Sequence, residues 1–166
     1  MPSDAELRAT EVVMTADYGV FVSVDTRTKR QRTIVVPGKP VGKQRARVVS
    51  NREGTHTFTP LMTVQWEGLI KILASQAGIQ PTDMPTSVVI EIERTVPRSW
   101  SRKKKERALS YEWATGKPDI DNVIKAVLDA LNGIAWHDDS QVVTVTAKRT
   151  FTERDQTTIT IELLGE

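Results

Sequence analysis

Lys117-Pro118-Asp119-Ile120-Asp121 sets two carboxylates one residue apart, and Asp138-Asp139 supplies a second acidic pair further along the chain. Proline biases the residue before it toward extended geometry, so a chain that stays extended through Ile120 points Asp119 and Asp121 to the same side. Lys125 follows Asp121 by one helical turn. Between the acidic pairs the chain passes through one predicted helix and the short turn at Asn132-Gly133, so it can reverse and bring a third carboxylate close to the first two. Converging carboxylates repel unless something positive lies among them. With no cysteine and only two isolated histidines, His56 and His137, thiolate zinc, iron–sulfur and cysteine-nucleophile chemistries are excluded, and nothing is available to build a histidine-rich metal site. A hard divalent ion held by oxygen is the economical answer: Mg²⁺, with Mn²⁺ as the alternative and waters filling the remaining positions.

Such an ion, held by Asp119, Asp121 and one of Asp138-Asp139, can neutralise a phosphodiester, acidify a water and orient in-line attack. Lys125 has no metal to bind, so its ammonium suits charge on the transition state or the position of the attacking water. Asn122 and Asp138 suit a supporting role, holding an aspartate or a metal-bound water in place; for Asn122 an ordinary first-turn residue is the alternative. A purely structural reading accounts for the helix alone, with Asp121 as its N-cap and Asp121, Lys125 and Asp129 as an exposed i,i+4 ladder. The second acidic pair tips the balance toward a metal site. Asp129, two turns from Asp121, reads as a salt-bridge partner, and His137 stays unassigned.

The substrate for such a site must be anionic, and the basic residues are distributed accordingly. Net charge is only +2, yet residues 26–56 hold nine basic groups against one acid, Glu53, and residues 94–107 hold seven against Glu106 alone. Two basic segments beside an acidic cluster point to a polyanion partner, although a solvated loop is the ordinary explanation of any one basic run. Lys43, Arg45 and Arg47, alternating in a Pro/Gly loop, can follow backbone phosphates without reading bases, and Arg102, Lys103, Lys104 and Lys105 form the second set of DNA contacts. Trp100, beside those cations, could stack on a base or enter the core, whereas Trp66 and Trp136 read as core residues.

These residues need a scaffold. The 166 residues suit one domain, and 39% hydrophobic with 27% charged residues describes a globular chain with a buried core. No apolar run approaches the roughly 20 residues of a bilayer span, and the opening MPSDAELRATE lacks a cationic start, so no membrane association and a cytoplasmic location are expected. Residues 1–16 read as a weakly ordered or short helical extension. Val20–Val24, Thr33–Val36 and Ser87–Thr95 read as strands. Residues 38–47 read as a basic loop. Leu61–Ala77 has helical spacing through Val64, Leu69, Ile72, Leu73 and Ala77, with Gly78 as its stop. Ser101–Leu109 reads as a short cationic helix capped by Ser101. A stronger helix runs from Asp121 to Asn132-Gly133, with Val123, Ile124, Val127, Leu128 and Leu131 on one face and Asp121, Lys125, Asp129 and Asn132 opposite. Residues 141–151 and 157–164 read as a hairpin. The result is a single α/β domain.

The run KPDIDNVIKAVLDALNGIAWHDDSQVV, residues 117–143, resembles the signature of the RusA family of Holliday junction resolvases, endodeoxyribonucleases of bacteria and their phages. The resemblance extends upstream through Pro40–Arg47, Thr57–Pro60 with its following helix, and Pro97–Lys104. It leaves residues 1–32 as an N-terminal extension to a nuclease domain of residues 33–166. It implies an α/β subunit with a mixed β-sheet and packed helices, assembled as a homodimer that cuts four-way DNA junctions at symmetric positions with Mg²⁺. It also implies that Asp119, Asp121 and Asp139 are the metal-site aspartates and that Lys125 is the lysine required for cutting. Two other functions compete: a junction-binding module that does not cut, served by the basic segments alone, and an Asp-X-Asp sugar-nucleotide transferase, for which one small domain leaves little room.

Overall fold

The computed structural model describes residues 10–15, 20–25, 30–45, 47–51, 54–110 and 113–165. In chain order, β1 (Thr10–Thr15) and β2 (Val20–Asp25) pair antiparallel, and β3 (Gln31–Pro37) follows. β4 (Arg47–Asn51) and β5 (Gly54–Phe58) form a second antiparallel hairpin. Then come α1 (Leu61–Gln76), β6 (Thr86–Thr95), α2 (Arg102–Leu109), α3 (Ile120–Leu131), a 3-10 turn at Asp139–Gln141, β7 (Val142–Thr152) and β8 (Gln156–Leu163). No helix among the described residues is long and apolar enough to cross a membrane.

The central sheet has the order β3-β8-β6-β7 and is mixed: β8 runs antiparallel to both β3 and β6, while β7 runs parallel to β6. A parallel neighbour needs a crossover, and the segment carrying α2 and α3 supplies it. The expected hairpin of the last two strands therefore does not form, because β8 enters the sheet between β3 and β6. The side chains give the reason. Thr157, Ile159 and Ile161 of β8 are buried, whereas residues 143–146 of β7 are exposed; the strand with an apolar face takes the interior and the polar one takes the edge.

Ile34, Val36, Val88, Ile90, Ile92, Ile159 and Ile161 pack with Trp66, Ile70 and Leu73 of α1, with Val123, Val127 and Leu131 of α3, and with Trp136. Trp66 and Trp136 are core residues, as their types suggested. The inward face of α1 differs from expectation. Thr63, Trp66, Ile70, Leu73 and Ala74 are buried, while Val64 and Ile72 are 49% and 57% exposed. Trp66 and Ile70 fix the rotation of the helix, since larger side chains gain most from burial. Two further corrections concern the chain's beginning and middle. Residues 10–15 are a strand, not a weak helix or loose tail, and residues 1–9 lie outside the described residues. The basic loop ends before Arg47, which opens β4.

Candidate functional site

α3 begins one residue earlier than the sequence suggests. Asp119 is its N-cap in extended backbone, with its carbonyl accepting from Val123 N at 3.2 Å, and Ile120 is already helical. Asp121 is therefore not the cap but a first-turn residue. There its charge faces the positive end of the helix dipole. The extended run through Ile120 does not occur, because that residue turns inward to pack on the core. Even so, both acids stand at the start of α3. Asp119 Oδ2 lies 2.7 Å from Lys117 Nζ, and the Lys117 ammonium is held above its ordinary 10.5 by that hydrogen bond first, then by the charges of Asp119 and Asp121.

The loop before β4 builds the wall opposite these acids. Lys43 N donates to Asn122 O at 2.7 Å. A β-carbon on Gly42 would come to 3.0 Å from the β-carbons of both Pro118 and Asn122, so any other residue would push loop and helix apart by a few tenths of an ångström. Between loop and helix lies a cleft of about 460 Å³, lined by Lys39, Lys43, Met62, Pro118, Asp119 and Asn122 among others. Residues from the sheet hold the segment that delivers Asp119. The Arg149 guanidinium donates to the carbonyls of Ala114 and Pro118, and Arg94 Nη1 donates to Lys117 O at 2.7 Å. The Lys117-Pro118 peptide is cis. Nothing in the sequence marks Arg149 for this task, since its two acceptors are backbone atoms distant along the chain.

The second acidic pair divides its work. Asp138 caps the 3-10 turn, accepting from Ser140 N at 2.9 Å, while Gln141 Oε1 accepts from the backbone N–H groups of His137 and Asp138. The hydroxyl and backbone N–H of Ser140 hold Asp138 below the usual carboxylate range. Asp139 is exposed and carries no such cap. It is separated from Asp119 along the chain by the whole of α3. The 12-residue α3 spans about 18 Å. β7 then runs back from Val142, covering about 23 Å before Arg149 meets Pro118. Asp119 caps one end of the helix and Asp139 follows the other. Among the described residues no group of three His, Cys, Asp or Glu side chains is placed to hold a metal ion.

The expected ladder on α3 is also rearranged. Asp129 is a salt-bridge partner, but of Lys43, whose ammonium lies 2.8 Å from both Asp129 Oδ2 and Glu67 Oε1. Burial pulls the Lys43 ammonium down, and the hydrogen bonds and charges of those acids outweigh it and raise it. Lys43, expected on a phosphate, thus ties the loop to α1 and α3. Lys125 is exposed with no ion-pair partner among the described residues. Arg45 is exposed, and the Arg47 side chain lies outside the described residues. On α2, capped by Ser101 as expected, Arg102 pairs with Glu106 at 3.3 Å and Lys104 Nζ stands 3.8 Å over the Trp100 ring. Lys105 Nζ donates to Arg98 O at 2.9 Å. Lys103 is exposed. Trp100 meets Phe151 edge-on at 5.3 Å, so neither of its expected roles describes it fully.

Comparison with known proteins places this arrangement in context. The family described as Endodeoxyribonuclease RusA matches residues 37–162, which includes β6, both clustered acidic pairs and Lys125. The Bacillus subtilis (strain 168) protein named "Uncharacterized protein YqaN" is 30% identical over 130 residues, covering 76% of this chain and 92% of that protein.

Proposed function

The chain belongs to the RusA endodeoxyribonuclease family, and from that premise we propose that it is a divalent-metal-dependent enzyme resolving four-way DNA junctions by paired phosphodiester hydrolysis. The observation that carries this reading is the placement of Asp119, paired with Lys117 at 2.7 Å, and Asp121 together at the start of α3 beside a cleft walled by a basic loop. Two carboxylates in a chain without cysteine fit a hard ion such as Mg²⁺ or Mn²⁺. That ion supplies charge neutralisation at the scissile phosphate. Lys117, paired with Asp119 here, would be the cation that such an ion replaces, leaving its ammonium available to a phosphate. Lys125, one turn along α3 and unpaired among the described residues, stabilises charge that develops in the transition state. Asn122 lines the same cleft and keeps Asp119 or a bound water in position. The third ligand is Asp139, because Asp138 is committed to its cap.

Asp139 reaches the other acids through a second subunit. β7 is an edge strand, and the backbone of Trp113 and Ala114 covers its free side at Thr150 and Arg149. Val142–Lys148 remains open, with Val143 and Val145 59% and 37% exposed. An uncovered edge of this kind is a template for another strand. Antiparallel self-pairing centred on Val145 sets Val143 opposite the partner's Ala147. It carries the partner's Asp139 past Lys148 toward Arg149, which touches Pro118. A two-fold axis then creates two equivalent sites, as paired cuts on symmetry-related strands require.

The test is incubation with end-labelled four-way junction, linear duplex and single strand, in Mg²⁺, Mn²⁺ or EDTA, with the cuts mapped. Symmetric metal-dependent nicks on the junction are expected. Tight junction binding without any cut in either metal would favour the non-cutting module instead.

A further inference from the structure

We propose that a second cleft, reached from the Asp119 cleft across Lys39, holds backbone phosphates of the nucleic-acid strand and leads that strand to the acids. The identity of the strand rests on the nuclease reading above; the anion chemistry of the cleft does not. The cleft has a volume of about 810 Å³, and its charged lining is Lys39, Arg94, Arg98 and Lys105 against Glu153 and Asp155. Lys39 lines both clefts, so they are neighbours on the surface.

The two acids do not cancel this charge equally. Asp155 is committed to the wall: Oδ1 accepts from Thr95 N at 3.0 Å and Oδ2 from Thr95 Oγ1 at 2.8 Å. Its backbone carbonyl accepts from Gly38 N at 2.9 Å, fixing the start of the loop that carries Lys39. Glu153 is exposed. Arg94 Nε lies 3.5 Å from Asp155 Oδ1, an ion-pair separation, yet it is shielded from solvent and has no hydrogen-bond acceptor. Arg94 and Asp155 thus belong to the wall, which leaves Lys39, Arg98 and Lys105 against Glu153 as the charge the cleft offers. Lys105 spends one proton on Arg98 O, and the Arg98 side chain is exposed with no ion-pair partner among the described residues.

Among the described residues the lining contains no aromatic ring, so there the cleft offers charge to a backbone and no platform on which to stack a base. It therefore grips a strand without regard to sequence. Arg94 also links the two clefts mechanically, since its Nη1 donates to Lys117 O, two residues before Asp119. The wall of this cleft is thus joined to the segment that positions the first acid.

Binding is measured in EDTA, where no cutting occurs, with a labelled four-way junction over a series of salt concentrations. Lys39→Ala and Arg98→Ala are each expected to flatten the plot of log K against log[salt] by about one unit, equally for junctions of unrelated sequence. Lys71→Ala, on α1 and lining neither cleft, keeps the wild-type slope. Both cleft residues are exposed, and circular dichroism checks that the variants fold. Wild-type slopes for both cleft variants, with junction still bound and cut, overturn the cleft and leave the nuclease standing. Cleft-dependent slopes with no cutting in metal overturn the nuclease and leave the cleft. Displacement of the junction by inorganic phosphate at concentrations too low to change ionic strength would assign the cleft to a small phosphate and overturn the strand path.

Discussion

Arg149, on the edge strand, donates to the carbonyl of Pro118, the residue directly before Asp119. The same guanidinium holds the carbonyl of Ala114, so one planar fork fixes both ends of the segment that presents the first acid. A lysine cannot reproduce two divergent donors from one rigid group. Arg149→Lys is expected to lower stability by about 1–2 kcal/mol, the worth of one or two hydrogen bonds, with a larger loss in kcat than in junction affinity. Thermal unfolding and single-turnover cutting check the two halves. Unchanged stability and unchanged kcat would mean that the segment holds its shape without the fork.

Asp155 gives the fold a pH dependence whose sign follows from its partners. Burial pushes its carboxyl up, but the Thr95 hydrogen bonds and the charges of Arg94 and Lys39 outweigh this and hold it below its ordinary 3.8. A lowered carboxyl stabilises the folded state above its unfolded pKa, and the contribution is lost as pH falls through the folded value. Asp155→Asn should therefore unfold at lower temperature than wild type at neutral pH, by roughly 1–2 kcal/mol for the weakened bonds. The gap should close well below pH 3.8. Lys43 acts at the other extreme: raised above 10.5, it stabilises below that value and ceases to do so as pH climbs past it. Calorimetry across pH distinguishes both from a pH-independent packing change.

What the sequence discloses of this fold follows physical range. The face of α3 was legible because Val123, Val127 and Leu131 recur at helical spacing and Gly133, with φ 76°, stands at the stop. Ser101 was legible as a cap because capping is local. The one-residue error at Asp119 arose because both aspartates are good caps, and the burial of Ile120 against the core decides between them. Strand order was not legible, since β8 pairs with β6 and β3 through contacts no local pattern records. Lys43 read as a free cation because its partners, Glu67 and Asp129, come from helices distant in sequence. The conspicuously exposed Trp113, 70% accessible on the cap of the β7 edge, carried no signal beyond its residue type.

Lys125 separates catalysis from binding. It lies one turn from Asp121 on the exposed side of α3, with no ion-pair partner among the described residues to lose. Lys125→Ala should therefore leave folding within about 0.5 kcal/mol of wild type. If its charge serves the transition state, saturating cutting falls by about 10²-fold or more, while junction affinity and metal affinity hold. A uniform loss of junction affinity, with cutting at saturation intact, would make Lys125 a phosphate contact.

The separation of Asp119 from Asp139 by the length of α3 yields the sharpest prediction. Asp119→Asn and Asp139→Asn each remove one ligand charge and no basic contact, so each homodimer should bind the junction and fail to cut it. The two variants should then be mixed and allowed to exchange subunits. If every site takes Asp119 from one chain and the partner subunit's Asp139, a mixed dimer has one site with both substitutions and one with neither. Nicking of one strand returns, without the paired cut. If all three acids come from one chain, each subunit of the mixed dimer keeps its own defect, and no cutting returns. Subunit exchange is verified separately by sedimentation or energy transfer between labelled chains. Restored nicking at about a quarter of the wild-type site concentration is expected from an equal mixture after random exchange, and its absence after verified exchange would rule out the shared site.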